Sequence, residues 1–552
     1  MTTHPIVSQG PRPVGEAPDR VRQFDVAVVG SHLTTNLLAT ILAHHGVSVA
    51  LIDHGDAASA PTDDNTVPYT AELFYLLGSR YGVPEIADMG MFSRLPAEVR
   101  RTSGVKQNLG FLYHHRGQAH RPEEALQFNV PGEHAEWHLY RPDVDAYTRD
   151  LARRYGVTVI TDGVTELDRA GERPTLRLAD DSVVQAACVL DASVTPLVEP
   201  AGRGARHASR VLSTHMHGVR PFEEIRPLHL YEQATAWSRG TLLHAFDGGW
   251  IRIVPFGNHE GGVNSLTAVT VCLDPDRFPA TGATPDEEFQ SLLALFPDIR
   301  LQFAAAARVR PWHVDDAWAG LRDAGDGAYV LFDRGAARHD FIFGRELTMG
   351  LELVNAAAAT ILGARSRLDA AALRPLRDYQ RRLFDYHDRV VAASRTATRS
   401  FELWNATLRM WLLWSILSAL ALKRARLDGE ATGDWAPATM LDRGPFWFAV
   451  PAGLPELLDE LLGDVESTGT RKVPPSVAAG RMFRRMRRSK IAPPLYDFGK
   501  PEARYYHFTK SRRLRMLLWV KTTAPADFRR LLTADNVTAV PDETAGLASA
   551  QR

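Results

Sequence analysis

Apolar positions along this chain follow two periods, and their alternation predicts a layered α/β protein. Phe24–Val29 (FDVAVV) is a continuous apolar run closed by Gly30 and reads as a buried strand. Leu33, Leu37, Leu38, Ile41 and Leu42 follow at helical spacing, and Val47–Ile52 (VSVALI) reads as a second strand ending at Asp53. Strand, turn, helix, strand and a terminal acid about 20 residues on is the pattern of a dinucleotide-binding βαβ unit. Farther along, VTVIT, TLRLAD and SVVQAACVLDAS between Val157 and Ser193 read as a short meander that returns to the same sheet. Leu212–Leu273 is strand-rich, with runs such as WIRIVPF and SLTAVTVCL, and suits an antiparallel substrate sheet. The period turns helical from Leu347 to Leu362, and residues 370–535 are mostly helical and rich in Arg and Trp. Met410–Leu422 is the most apolar stretch, too short to span a bilayer and read as a core helix. No repeat is evident.

At 552 residues, with 45% hydrophobic and 23% charged positions, the chain has the make-up of an ordinary globular protein of two to four domains. A net charge of −1 excludes a global attraction to nucleic acid or anionic membranes. Cys188 and Cys272 lie far apart in apolar runs, which argues against a disulfide scaffold or a metal site and suits a reducing, cytoplasmic setting. Residues 1–22 are polar and Pro-rich without the apolar core of a signal peptide. They are expected to be a disordered tail, as are residues 536–552.

The turn after the first strand conflicts with its scaffold. It reads Gly30-Ser31-His32-Leu33-Thr34-Thr35 where G-x-G-x-x-G is expected. His32 stands where the backbone must approach a pyrophosphate, and Thr35 where the helix must press on the strand.

Several blocks carry a resemblance to a known family. They are Thr66-Val67-Pro68 after the second strand, GVKQNLGFLYHH (Gly104–His115), Gly249-Trp250-Ile251-Arg252-Ile253-Val254-Pro255, and Asp340–Leu362. Together they resemble the flavin-dependent halogenases, the tryptophan-halogenase-like branch of the FAD monooxygenase superfamily, over about residues 23–535. The resemblance implies a p-hydroxybenzoate-hydroxylase-like α/β fold: a Rossmann-type nucleotide domain, an antiparallel substrate sheet and a helical C-terminal region. The expected division is 23–210 with 325–365 for the nucleotide domain, 211–324 for the substrate sheet, and 366–535 for the helical region. It also implies FAD, reduced by a separate flavin reductase, which with O2 oxidises halide to hypohalous acid. A lysine then delivers the halogen to an aromatic ring. Matching the phenylalanine of that segment to Phe111 puts the lysine at Lys106. Such an amine must be desolvated to be partly neutral.

The departures from the family share one direction. Asp63-Asp64-Asn65 stands for Gly-Glu-Ser, and Val194 follows Asp191-Ala192-Ser193 where a glycine is usual. The family's Gly-Asp falls on Asp333-Arg334, its Asp-Pro on Asp340-Phe341, its small-residue turn on Gly344-Arg345-Glu346, and its second signature tryptophan on Arg252. An imidazole obstructs a phosphate turn. An ionised Glu346 about 4 Å from a halide would cost on the order of 4 kcal/mol at an effective dielectric near 20. The expectation is therefore that standard FAD dependence is lost, with Gly30, Asp53 and Asp340 as vestigial cofactor contacts.

On that reading the old cleft carries out cofactor-independent acid–base chemistry, a cyclisation, isomerisation, dehydration or hydrolysis. Lys106, Glu346 and His32 are its catalytic groups. Trp250, Arg252 and Phe111 are expected to hold a bulky hydrophobic or aromatic intermediate of bacterial specialised metabolism. Two alternatives stand beside it: a working FADH2-dependent halogenase or hydroxylase using Lys106, and a non-catalytic protein that binds an intermediate or a partner. Residue by residue the bland readings are a solvated loop lysine at 106, a helix cap at His32, and a Glu346 paired with Arg345 or Arg334. Arg481–Lys490 and Lys510–Lys521 are either docking faces for an acidic carrier protein or ordinary solvated helix faces. No metal, nucleic acid or membrane span is expected.

Overall fold

The computed structural model describes residues 21–53, 65–130, 136–198, 207–319, 325, 327–336, 342–364, 367–439, 452–506 and 509–531. The expected tails lie almost wholly outside the described residues, the first strand beginning at Arg22.

Strand β1 (Arg22–Val29) enters the core with Val26–Val29 fully buried. After the Gly30 turn, α1 (Leu33–His44) lays Leu33, Leu37, Leu38, Ile41 and Leu42 on the sheet, none of them exposed. Burying each such side chain contributes about 1.5–3 kcal/mol, so this stripe fixes the helix to the sheet. Strand β2 (Val49–Ile52) then runs parallel to β1, with Val49 opposite Val26. Helix α2 (Pro68–Tyr81) starts on a proline, whose missing N–H has no partner to lose in a first turn. Next come β3 (Gly104–Lys106), β4 (Asn108–His114), β5 (Ala125–Asn129) and β6 (Glu136–His138). Helix α3 (Arg141–Arg154) leads to β7 (Thr158–Ile160), β8 (Val164–Asp168), β9 (Thr175–Leu178) and β10 (Val183–Asp191). The solvent-facing β8 has no apolar run to announce it.

The second half opens with β11 (His207–His217), β12 (Thr241–Phe246), β13 (Gly249–Pro255) and β14 (Thr267–Leu273). The short β15 (Ala307–Arg308), β16 (His313–Ala319) and β17 (Tyr329–Leu331) follow. Three long helices come next: α4 (Arg345–Ala364), α5 (Ala370–Ala397) and α6 (Phe401–Thr432). The last strand is β18 (Tyr505–Tyr506).

Seven strands form one sheet in the order β7-β2-β1-β10-β9-β8, with β17 beside the end of β10. Nine form the other in the order β15-β11-β14-β13-β12-β4-β5-β18, with β16 beside β11. The expected division is corrected here. Strands β4 and β5, placed by sequence in the nucleotide domain, belong to the second sheet, and β18 from the helical region completes its edge. The reason is pairing: β4 lies parallel to β12 along Thr241–Phe246, a long-range register that no local pattern encodes. Cys188 and Cys272 are buried in different sheets and form no disulfide.

By length and composition α4 and α6 could each cross a bilayer, yet 78% and 89% of their apolar windows are buried inside the protein. Helix α6 is apolar nearly all round, as a core helix is. Ser400 caps its start and Gly433, at φ 74°, ends it. Helix α4 carries an acid in this interior. Glu352 is fully buried, accepts from the Tyr69 hydroxyl at 2.9 Å, and lies 4.0 Å from Arg345. Burial pushes its carboxyl up to about 8, against the opposing pull of Arg345 and the Tyr69 hydrogen bond.

The folded protein thus keeps the Glu352 proton to about pH 8, whereas the unfolded chain releases it near 4.5. Stability from this group is full below the unfolded value and drains away as pH rises towards the folded one. Glu352→Gln keeps the shape and cannot ionise. Its stability relative to wild type is expected to rise by about 1 kcal/mol per pH unit between roughly pH 5 and 7.5, measured by urea unfolding. A difference independent of pH would contradict this account.

Candidate active site

The site is built on a register. Strands β3 and β6 are antiparallel and place Lys106 directly opposite Glu136. The Lys106 Nζ lies 2.9 Å from Glu136 Oε2, with the two side chains 1% and 3% exposed. Nζ also donates to the Thr66 carbonyl. That carbonyl is held in place because Thr66 N–H donates to Trp137 O at 3.0 Å and Trp137 N–H donates to Thr66 Oγ1 at 3.0 Å. Burial raises the Glu136 carboxyl, while the Lys106 ammonium pulls it the other way. Glu136 Oε1 has no partner among the described residues. A buried pair whose acid is pushed towards its neutral form is an arrangement in which the proton can pass to oxygen and leave a neutral amine.

Lys106 is therefore no solvated loop residue. Glu136 escaped the sequence reading, although one signal was present: a lysine buried on a strand requires an acid, and Glu136-Trp137-His138 is a buried tripeptide. The neighbouring His138 is structural. Its Nδ1 lies 2.7 Å from the Pro255 carbonyl and its Nε2 3.0 Å from Thr241 Oγ1, tying β6 to the second sheet. Burial first, then Lys106 and Arg252, hold its pKa down at about 3.

The Lys106–Glu136 pair faces a cavity of about 260 Å³. Its walls include Val67, Pro68, Leu109, Phe128, Trp411 and Tyr506. The volume lies just below the roughly 300–1,000 Å³ usual for small-molecule sites. Phe111, Trp250 and Arg252 do not line it. Phe111 stands one row behind, with its ring 5.4 Å from Phe128 and 6.3 Å from Trp404. Trp250 and Arg252 are buried on the sheet face opposite to that of Ile251 and Ile253, and Arg252 acts on His138. These three take places behind the wall of this cavity.

A second group forms at the nucleotide-type turn. Gly30 has φ +97°, and a Cβ there would come 3.0 Å from the Ala192 carbonyl, so this glycine is required. His32 is the residue at the start of α1, in extended conformation at φ −146° and ψ 172°, where glycine is not needed. Its Nδ1 lies 3.0 Å from Thr34 Oγ1, which donates to Asp333 Oδ2 at 2.7 Å. Burial, then Arg334 and Arg141, lower the His32 pKa well below its usual value. Thr35 Oγ1 donates to the Gly30 carbonyl at 2.8 Å and accepts from the His32 N–H at 3.0 Å, which pins the turn.

The remaining residues near this turn are held in hydrogen bonds and ion pairs. Asp333, two residues after β17, reaches the α1 turn at φ 47°, with its carboxyl raised by burial to about 6. Glu346 is ion-paired with Arg334 at 3.0 Å, both largely buried, so its charge is compensated and it is not an isolated acid–base group. Asp53 is paired with Arg149 of α3. Arg345 turns inward, its guanidinium 5.3 Å over the Trp414 ring. Asp340 lies outside the described residues. Lys106 is thus grouped with the cavity, and His32 and Glu346 with the nucleotide turn.

The turn residues fit a flavin dinucleotide. The Gly30 conformation and its close approach to β10 are kept, and the first turn of a twelve-residue helix stands behind it. His32 Nε2 is a buried polar atom with no hydrogen bond among the described residues, beside the start of α1. Thr35, at one of the missing glycine positions, closes the turn with hydrogen bonds to Gly30 and His32. Among the described residues no cluster suited to a metal ion occurs.

The pair has a clear energetic signature. Glu136→Ala strands the Lys106 ammonium in the interior and is expected to cost about 3–5 kcal/mol. The double variant Lys106→Met, Glu136→Leu removes both charges and is expected to recover most of that loss in urea unfolding. Equal stability of the Glu136→Ala variant and wild type would refute the pairing.

No family model matches the chain. It is 30% identical over 542 residues to tetracycline 7-halogenase of Kitasatospora aureofaciens, covering 93% of this chain and 95% of that protein. It is 31% identical over 535 residues to monodechloroaminopyrrolnitrin halogenase PrnC of Pseudomonas fluorescens, covering 92% and 93%. The crystal structure of halogenase PltM in complex with phloroglucinol and FAD superposes with a TM-score of 0.82 at 22% identity, covering 88% of this chain and 99% of that one. These likenesses overturn the expected cofactor-independent acid–base enzyme, since the full-length relatives are halogenases. The glycine losses that suggested it are absorbed locally by Thr35 and His32, and the Glu346 charge by Arg334. With relatives matched at about a third identity through nearly its whole length, the chain belongs to the flavin-dependent halogenases.

Proposed function

We propose that this protein is an FAD-dependent halogenase that places halogen on an aromatic small molecule held in the Lys106 cavity. The observation that carries the reading is the buried Lys106–Glu136 pair on the wall of an apolar cavity, strapped to the carbonyl of Thr66. Gly30, His32 and Asp333 are the residues that would hold the dinucleotide. Bound reduced flavin supplies, with dioxygen and halide, the hypohalous acid that the chemistry requires.

Lys106 and Glu136 then account for the remaining steps. With the pair's acidic proton on Glu136, Nζ is a neutral amine. It takes the halogen from hypohalous acid as a haloamine, an N–H proton leaving with hydroxide as water. As the halogen passes from Nζ to a ring carbon, Glu136, within hydrogen-bond distance, gives its proton to the nitrogen, and the carboxylate so formed takes the ring proton, which restores the pair. The apolar walls exclude water that would otherwise consume the electrophile.

The test is turnover with chemically reduced FAD, air, chloride or bromide, and a panel of phenols that includes phloroglucinol. Lys106→Ala is expected to lower halogenated product by about 10²–10⁴-fold while FAD binding, read by quenching of flavin fluorescence, stays unchanged. His32→Ala is expected to weaken FAD binding about tenfold, through the loss of one hydrogen bond that orders Thr34 and Asp333 at the turn. Wild-type protein that binds neither oxidised nor reduced FAD would sink the proposal, as would a Lys106→Ala variant of full activity.

A further inference from the structure

The cavity has a second polar end that the halogen chemistry does not use. Helix α6 presents Trp411, Ser415, Ala419 and Lys423 to it at intervals of four, a single face of the helix. Lys423 therefore lies three turns beyond Trp411, about 18 Å along the axis. Across from it stands Glu72, one turn into α2 from Pro68 and about 6 Å of helix rise from it. Pro68 itself adjoins the Thr66 strap that holds Lys106, so the reacting amine and this charged end face one continuous apolar space.

The charges at this end are unevenly paired: Arg426 contacts both acids of the group, and Lys423 contacts neither. Glu72 is bound by Arg426, whose Nη2 lies 3.3 Å from Glu72 Oε2. Arg426 also pairs with Glu430 at 2.9 Å. Lys423 is half-buried, lies close enough to Glu72 to feel its charge, and makes no hydrogen bond or ion pair among the described residues. A carboxylate already held by an arginine leaves the lysine as the cation available to a molecule in the cavity. The remaining wall between the two ends is aromatic and aliphatic, with Phe128, Leu109 and Leu420.

We infer that the substrate is an aromatic anion: its negatively charged group, a carboxylate, a sulfonate or an ionised enol, is held by Lys423 while the ring to be halogenated lies against Lys106. The inference deepens the proposed halogenase reading and rests on it for the identity of the cavity. The charge fixes which end of the ligand enters first and so which ring carbon meets Nζ. A neutral aromatic of the same size would gain the apolar contacts without the anchor.

Two fluorescent probes of one skeleton separate these contributions, and neither needs flavin or turnover. They are 8-anilinonaphthalene-1-sulfonate, which is anionic, and N-phenyl-1-naphthylamine, which lacks the sulfonate. Titration into the purified protein is expected to show the anionic probe bound about tenfold more tightly, the worth of one hydrogen bond to a charged group. Lys423→Gln is expected to remove that advantage and leave the neutral probe within about twofold, whereas Lys423→Arg keeps it. Ala419→Phe, which fills the cavity from α6, is expected to weaken both probes, with circular dichroism confirming a folded variant. Equal affinities for the two probes in wild type would overturn the inference. So would an anionic probe indifferent to Lys423→Gln, or binding of either probe unaffected by Ala419→Phe. Because binding is read without FAD, failure of the halogenation assay and failure of the anion anchor are separate results.

Discussion

A lysine side chain 1% exposed to water is the constraint around which this protein is arranged. An ammonium in that position is tolerable only with a carboxylate opposite it and its hydrogen bonds satisfied. Both come from backbone register. Strands β3 and β6 bring Glu136 across from Lys106, and the Thr66 carbonyl arrives on the segment leading into α2. Because β3 runs almost directly into β4, the pair is also tied to the nine-stranded sheet. Three layers therefore meet at one amine: the segment leading into α2, the second sheet and, across the cavity, helix α6.

The turn after β1 holds its shape with a different set of contacts from those its signature glycines would give. One glycine, Gly30, answers to a steric demand, since any Cβ there meets the Ala192 carbonyl. At the next signature position the backbone is extended, and an imidazole is accommodated by Thr34 and Asp333. At the third, a threonine hydroxyl is spent on the carbonyl of Gly30 itself. A chain that belongs to the flavin-dependent halogenases thus holds its α1 turn with side-chain hydrogen bonds where small residues are expected. Compensation also applies to charge: Glu346, alarming when read alone beside a halide site, stands 3.0 Å from Arg334.

Charge placement divides the protein's interior into groups with different work. Glu352 and Arg345 lie among aromatic rings between helices, and serve packing. Lys106 and Glu136 open onto a cavity large enough for a ligand. At the other end of that cavity, Arg426 occupies Glu72 and leaves Lys423 to face the space.

Elements whose signal is local can be read from the order of residues alone. The βαβ unit was legible because Val26–Val29, Leu33, Leu37 and Val49–Ile52 carry strand and helix periods that follow from which faces are buried. The apolar Met410–Leu422 stretch likewise announced a core helix, and family likeness in Gly104–His115 pointed to Lys106. Which side chains those elements bring together depends on how the folded chain packs. Glu136 lies 30 positions from Lys106 and Asp333 lies 299 from Thr34, and no periodicity relates them. Strand register and helix packing set these meetings, and a shift of a single residue in register would turn Glu136 to the opposite face. Hydrophobic patterning records how deeply each position is buried, whereas the partner of a buried charge is fixed only when distant segments close around it.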